Sequence, residues 1–261
     1  MPSLYAHHRF GVQLLPGLPA DVRRPIQRFR SLFDLGLQGP DFFFYHSYLK
    51  HTPIVDLGSA LHNQTGREFF THCCRMVRHD PAEEAYAYLY GLLAHYCLDS
   101  ICHPYIYAHT GPGSIVHSAL ETEFDRHLLT LDGCRMPCTH NTGARLKPRR
   151  EHFTVISSFY PDATPEQIER CIRSMRLATG FLSAPEPLRT AVTVFLKLAG
   201  ENVRGMQMAK IPDPACTPLM EPLMQRYTHA LEQFPAYLEQ LREHLTYNAP
   251  LGDIFTATFD H

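Results

Sequence analysis

Apolar residues recur along this chain at helical intervals, and strict apolar–polar alternation is rare. The densest run covers residues 84–103, where Leu92, Leu93, Ala94, Tyr96, Cys97, Leu98 and Ile101 make the segment apolar nearly all round. A helix of that kind belongs at the centre of a fold. Asp80, Pro81 and Glu83 form a start signal, with Asp80 as N-cap, Pro81 at the first helical position and Glu83 placed for a capping box. Pro104 reads as the stop. Gly111, Pro112 and Gly113 make a turn, after which Ser114 is placed to cap a helix over residues 115–129. Further helices are expected over 24–35, 66–78, 164–179, 188–210 and 218–245, the third of these opened by Thr164, Pro165 and Glu166. Residues 131–150 read as a long Gly/Pro/basic surface loop, and Pro212, Pro214, Pro218 and Pro222 mark an irregular connector over 210–222. The best strand signal, Val192 to Phe195, lies inside a helical pattern. The fold class is therefore all-α.

Composition narrows the function. The chain has 261 residues, 24 Lys+Arg against 26 Asp+Glu, and a net charge of −2. That balance argues against a general nucleic-acid or anionic-membrane coat and leads us to expect no stable nucleic-acid complex. A hydrophobic content of 44% excludes a disordered chain. No apolar run approaches the ~18 residues of a membrane span, and the first residues do not read as a secretory leader. We expect a cytoplasmic protein whose eight cysteines are thiols. Histidine is the unusual entry: of 17 in the chain, twelve precede residue 130.

Those histidines fall into a pattern. His95, Asp99 and His103 stand at i, i+4 and i+8 of the central helix, so successive members rotate by about 40° and rise ~6 Å on one face. His117, Glu121 and Asp125 repeat the spacing on the next helix. A single His/carboxylate pair on a helix is usually a surface hydrogen bond. Two adjacent stripes, one on a buried helix, are different, because unpaired buried charge is too costly to persist. Imidazole with carboxylate is a zinc donor set.

The run His95-Tyr-Cys-Leu-Asp99-Ser-Ile-Cys-His103, followed by His117-Ser-Ala-Leu-Glu121, resembles the zinc-dependent phospholipase C family, relatives of the P1/S1-type nucleases. Tyr5-Ala-His7-His-Arg-Phe-Gly11, Gly39-Pro-Asp41-Phe-Phe-Phe-Tyr45 and His62 extend the likeness over residues 5–130. The resemblance implies one multi-helix domain over 1–261, with the metal site in 1–130 and helical completion in 151–261. It implies up to three Zn²⁺ ions in one cleft. His62, His95, Asp99 and Asp41 would surround the first, and Asp99 would bridge to a second held also by His7 and the N-terminal backbone. His103, His117 and Glu121 would hold the third, with His109 a competitor of His103. The implied activity is phosphodiester hydrolysis by a metal-bound hydroxide, with Asp41 orienting or deprotonating the water and Phe42–Tyr45 walling the site. Phosphate esters, phospholipids among them, are the implied substrates. A nuclease or phosphomonoesterase on the same site, or a non-catalytic metal-binding protein, are the alternatives. Cys134, Cys138 and His140 read as loop residues rather than a zinc knot, and Arg145, Lys147, Arg149 and Arg150 as a solvated basic loop.

Overall fold

A computed structural model describes residues 4–47, 51–111, 113–191, 194 and 205–260. These residues form helices and turns, with two isolated β-bridges and no strand. The helices are α1 (Leu4–Leu14), α2 (Ala20–Arg28), α3 (Arg30–Gly36), α4 (Pro53–His62), α5 (Gly66–His79), α6 (Glu83–His109), α7 (His117–Leu131), α8 (Arg150–Ser157), α9 (Pro165–Leu182) and α10 (Met220–Tyr247). A 3₁₀ stretch, Gly39–Tyr45, joins α3 towards α4.

Helix α6 is the axis of the molecule. Its buried residues run from Ala85 to Ile106 on every side, and α1, α3, α7 and α10 all pack on it. The closest approach is made by two glycines. A Cβ on Gly91 would stand 2.4 Å from the Phe33 carbonyl oxygen, and one on Gly36 would stand 2.4 Å from that of Tyr88. Backbone meets backbone there, so α3 lies directly on α6. On the opposite side, Tyr237 of α10 packs edge-on against Tyr96 at 6.0 Å and its hydroxyl meets that of Ser100 at 3.2 Å. One apolar cluster runs from Leu4 to Phe259 and joins both halves of the chain.

Several predicted boundaries move, each for a visible reason. Asp80 is not the N-cap of α6; it terminates α5, and α6 starts at Glu83 after Ala82. Pro104 does not stop α6. Burial of Ile106 and the ring contacts of Tyr107 carry the helix to His109, offsetting the lost hydrogen bond of an interior proline. Ser114 does not cap α7: its hydroxyl turns back to the Gly111 carbonyl at 3.1 Å. Ile115 stays extended in a bridge to Thr110, so α7 begins at His117. The 24–35 helix breaks at Phe29 (φ −118°, ψ 45°), which gives α3 its own crossing over α6. Thr164 caps α9 in a full capping box with Gln167. The expected loop contains two short 3₁₀ turns. Of the expected 188–210 helix, residues 188–191 and Val194 are helical, while residues 205–210 are turn and irregular chain; the rest of that span and of the strand signal at 192–195 lies outside the described residues.

The α3–α6 crossing leaves no room for a methyl group. Gly91→Ala is expected to lower unfolding free energy by about 1–3 kcal/mol through overpacking, read from chemical denaturation at fixed zinc concentration. An unchanged midpoint would contradict this packing.

Candidate metal centre

The local sequence places each functional side chain by a different device. His7 sits one turn inside α1, whose first N–H groups, from Tyr5 and Ala6, donate to the two oxygens of Asp125 at 3.0 and 2.8 Å. Asp125 thus leaves the His117/Glu121 stripe and caps α1, where a carboxylate is favoured by the helix dipole. Tyr5 and Arg9 add a second anchor on Asp132. Asp41 lies in the 3₁₀ stretch entered through Gly39, whose φ of +51° and approach to the His95 ring exclude a side chain. His62 is the last residue of α4. His95, Asp99 and His103 share one face of α6, and His117 and Glu121 share one face of α7.

These eight residues converge. His62 Nε2 is 2.8 Å from Asp41 Oδ1, and His95 Nε2 is 2.9 Å from Asp99 Oδ2 and 4.0 Å from Asp41 Oδ1. His7 Nε2 lies 3.2 Å from Asp99 Oδ1, with its ring stacked on that of His95 at 4.3 Å. His103 Nε2 and His117 Nε2 each lie 3.3 Å from Glu121 Oε1. Three sets result, the first two sharing His95: Asp41, His62 and His95; His7, His95 and Asp99; His103, His117 and Glu121. Within each set, one ligand atom per residue lies within 4.8 Å of the others. All eight line a cleft of about 350 Å³ except His95, which stands fully buried beneath it.

Three imidazoles are oriented from behind. The Nδ1 groups of His62, His95 and His103 meet the carbonyls of Gly58 (2.7 Å), Leu37 (3.2 Å) and Phe259 (2.5 Å). A ring that donates from Nδ1 offers the Nε2 lone pair to the cleft, the arrangement common to metal-bound histidines. His95 Nε2 is buried and satisfies no hydrogen-bond geometry despite the nearby Asp99 oxygen. An orphaned ring nitrogen among carboxylates fits a bound cation. The donor set, nitrogen and carboxylate oxygen only, fits zinc.

Electrostatics point the same way. Burial would push Asp41 up, but the His62 hydrogen bond and the His95 charge hold its carboxyl below the usual range. Asp99 is held well below it against burial by His95, His103 and His7. Glu121, equally buried, is held well below it, with the hydrogen bonds of His103 and His117 among the causes. In return, and against the opposing effect of burial, Asp99 and Glu121 raise His103 to about 10, and Asp99 raises His95.

Other expectations settle differently. His109 is exposed and turned back to the Tyr105 carbonyl, away from the cleft, while His103 stands inside it. Of the Phe42–Tyr45 wall, Phe42, Phe43 and Tyr45 are core residues, the two phenylalanines packing edge-on against Tyr160, and Phe44 alone lines the cleft. Cys134, Cys138 and His140 form no metal-capable group among the described residues. The proposed N-terminal backbone ligand lies outside the described residues. The sequence reading missed Tyr107 and Asp260 at the cleft and the Phe259 carbonyl behind His103. Tyr107, one turn beyond His103, was legible once the helix passed Pro104; the other two carry no motif.

Comparison with known proteins agrees with the geometry. The family model for zinc dependent phospholipase C matches residues 6–182, so the chain belongs to that family. No curated protein and no solved structure matches it.

The charge state yields a test. In the metal-free site His103, raised to about 10, holds its proton at neutral pH and the carboxylates push His95 in the same direction, whereas zinc coordination requires both rings neutral. Zinc affinity should therefore rise with pH up to about 10, where His103 loses its proton, with proton release on binding below that. Calorimetric titrations in buffers of different ionisation enthalpy check this; a pH-independent affinity without proton release would contradict it.

Proposed function

We propose that this protein is a zinc-dependent phosphodiester hydrolase of phospholipase C type, acting on phosphate esters that include phospholipids. The observation that carries the proposal is the convergence of five imidazoles and three carboxylates, from five separate stretches of chain, on one cleft. Family membership supports the same reading.

In this proposal Asp41, His62 and His95 hold one ion, His7 and Asp99 a second, and His103, His117 and Glu121 a third. Asp99 would be placed to serve two ions, since its Oδ1 faces His7 and His103 while its Oδ2 faces His95. Zinc bound there supplies Lewis acidity, bringing the pKa of a water toward ~7 and neutralising phosphate oxygens. The protein's own part is positional. Asp41, kept ionised at the cleft, orients the attacking water and takes its proton. The Gly58, Leu37 and Phe259 carbonyls fix the imidazoles behind it. Phe44 and Tyr107 provide the walls beside the phosphoryl group.

The nuclease alternative needs a stacking platform for bases. Burial of Phe42, Phe43 and Tyr45 removes most of the aromatic surface that would supply one, which favours a non-nucleic diester. No helix among the described residues is long and apolar enough to cross a membrane. A reducing, cytoplasmic setting is part of the proposal, supported by eight cysteines that are all free.

Elemental analysis and hydrolysis assays test it together. Asp99→Ala should strip two ions and His117→Ala one. Asp41→Asn should keep most of the metal and lose at least about 100-fold in kcat on a chromogenic phosphocholine ester. Full metal content in Asp99→Ala would refute the bridge. Zinc-loaded protein inert towards the phosphocholine ester, a bis-phosphodiester and single-stranded DNA would favour a non-catalytic metal-binding protein.

A further inference from the structure

A second opening lies apart from the metal centre and shares none of its lining. It is a groove of about 940 Å³ between the 141–150 segment, α8 and α9. We propose that this groove is an anion site for a phosphate-bearing ligand, either a phosphomonoester in solution or the phosphate of a lipid headgroup.

The charges in the groove are unevenly matched. Arg149, Arg150, Arg173 and Arg176 face Glu166 and Glu169. Glu169 is already taken by Arg173 at 2.5 Å. Arg149 reaches Glu151 only at 3.8 Å, with both side chains largely in solvent, a pairing of small worth. Arg150 makes no ion pair within 4 Å among the described residues and acts on Glu166 only at longer range. Arg176 makes none either among the described residues, and its Nε is shut from solvent without an acceptor among them. Buried N–H donors without a partner are rare in folded proteins and ask for an explanation.

An oxyanion in the groove is met by the exposed Arg149, Arg150 and Arg173 and by the half-buried Arg176, which line the same groove. The guanidinium fork matches phosphate geometry and forms short charge-assisted hydrogen bonds. Counting Glu151 beside Arg149, four cations face three carboxylates, and the remaining excess of positive charge suits the anionic charge of a phosphomonoester near neutrality. The buried Phe153 and the exposed Leu177 flank the arginines and offer an apolar side to the organic part of the ester. In sequence Arg149 and Arg150 looked like a solvated loop; Arg173 and Arg176 reach the same groove from α9, about 25 residues later.

The site is tested by titrating zinc-loaded full-length protein with inorganic phosphate and glycerol phosphate, before and after chelation, with hydrogen exchange to locate the protection. Protection of residues 150–157 and 165–182 that survives chelation is expected, as is binding weakened about tenfold or more in the Arg150→Gln/Arg176→Gln double variant. Hydrolysis of a small chromogenic phosphodiester should be unchanged in that variant. Glu166→Gln, which removes a competing carboxylate, should tighten binding and serves if the double variant fails to fold. Vesicles of phosphatidylcholine with and without phosphatidic acid separate the sources. Arginine-dependent binding to anionic vesicles alone assigns a lipid headgroup, and binding of the free anions assigns a soluble ester. Binding abolished by chelation, or indifferent to both substitutions, would overturn the proposal.

Discussion

Three carboxylates and five imidazoles brought together inside an apolar helical core pose an electrostatic problem that the rest of this structure is arranged to meet. Asp41, Asp99 and Glu121 are each buried, and the histidines around them help to hold each carboxyl below its usual range. Assembling such charges in a core is a poor way to stabilise it, because desolvation consumes most of the Coulombic gain. The surrounding fold therefore reads as scaffold for the cluster. Helix α6 carries three of the eight residues at a fixed spacing, and the α3–α6 glycine contact and the α10 aromatics lock that helix in place.

Support comes from parts of the chain remote in sequence. Asp125 ties α1, and with it His7, to α7. The Gly39 turn brings Asp41 against His95. The C-terminal stretch closes the far side: Ala257 accepts hydrogen bonds from the Gly66 N–H and the Tyr96 hydroxyl, and Phe259 places its carbonyl behind His103. The family match ends at residue 182, so this last support belongs to the part of the chain that the match does not cover.

Much of this was legible in the sequence, and what was not has physical reasons. The apolar run of α6 and the i, i+4 stripes on α6 and α7 reveal the all-α class and most of the site, because helical periodicity is a local property. Thr164 was readable as a cap for the same reason. Helix boundaries were less so. Pro104 and Asp80 are local signals that tertiary packing overrides, and Ser114 found a nearer acceptor than the helix it was expected to cap. The aromatic run at 42–45 misled because sequence cannot say which face of a short 3₁₀ stretch turns inward. A backbone carbonyl such as that of Phe259 has no residue identity to read, and Asp125 changes role because a helix from the other end of the domain arrives above it.

The proposed chemistry requires cations where these eight side chains converge. Anomalous diffraction from crystals of zinc-loaded protein, recorded on both sides of the zinc absorption edge, tests it most directly. The account predicts anomalous peaks inside the cleft, between Asp41, His62 and His95, beside Asp99 and His7, and among His103, His117 and Glu121. A cleft without peaks, or zinc bound only at exterior histidines such as His109, would contradict it.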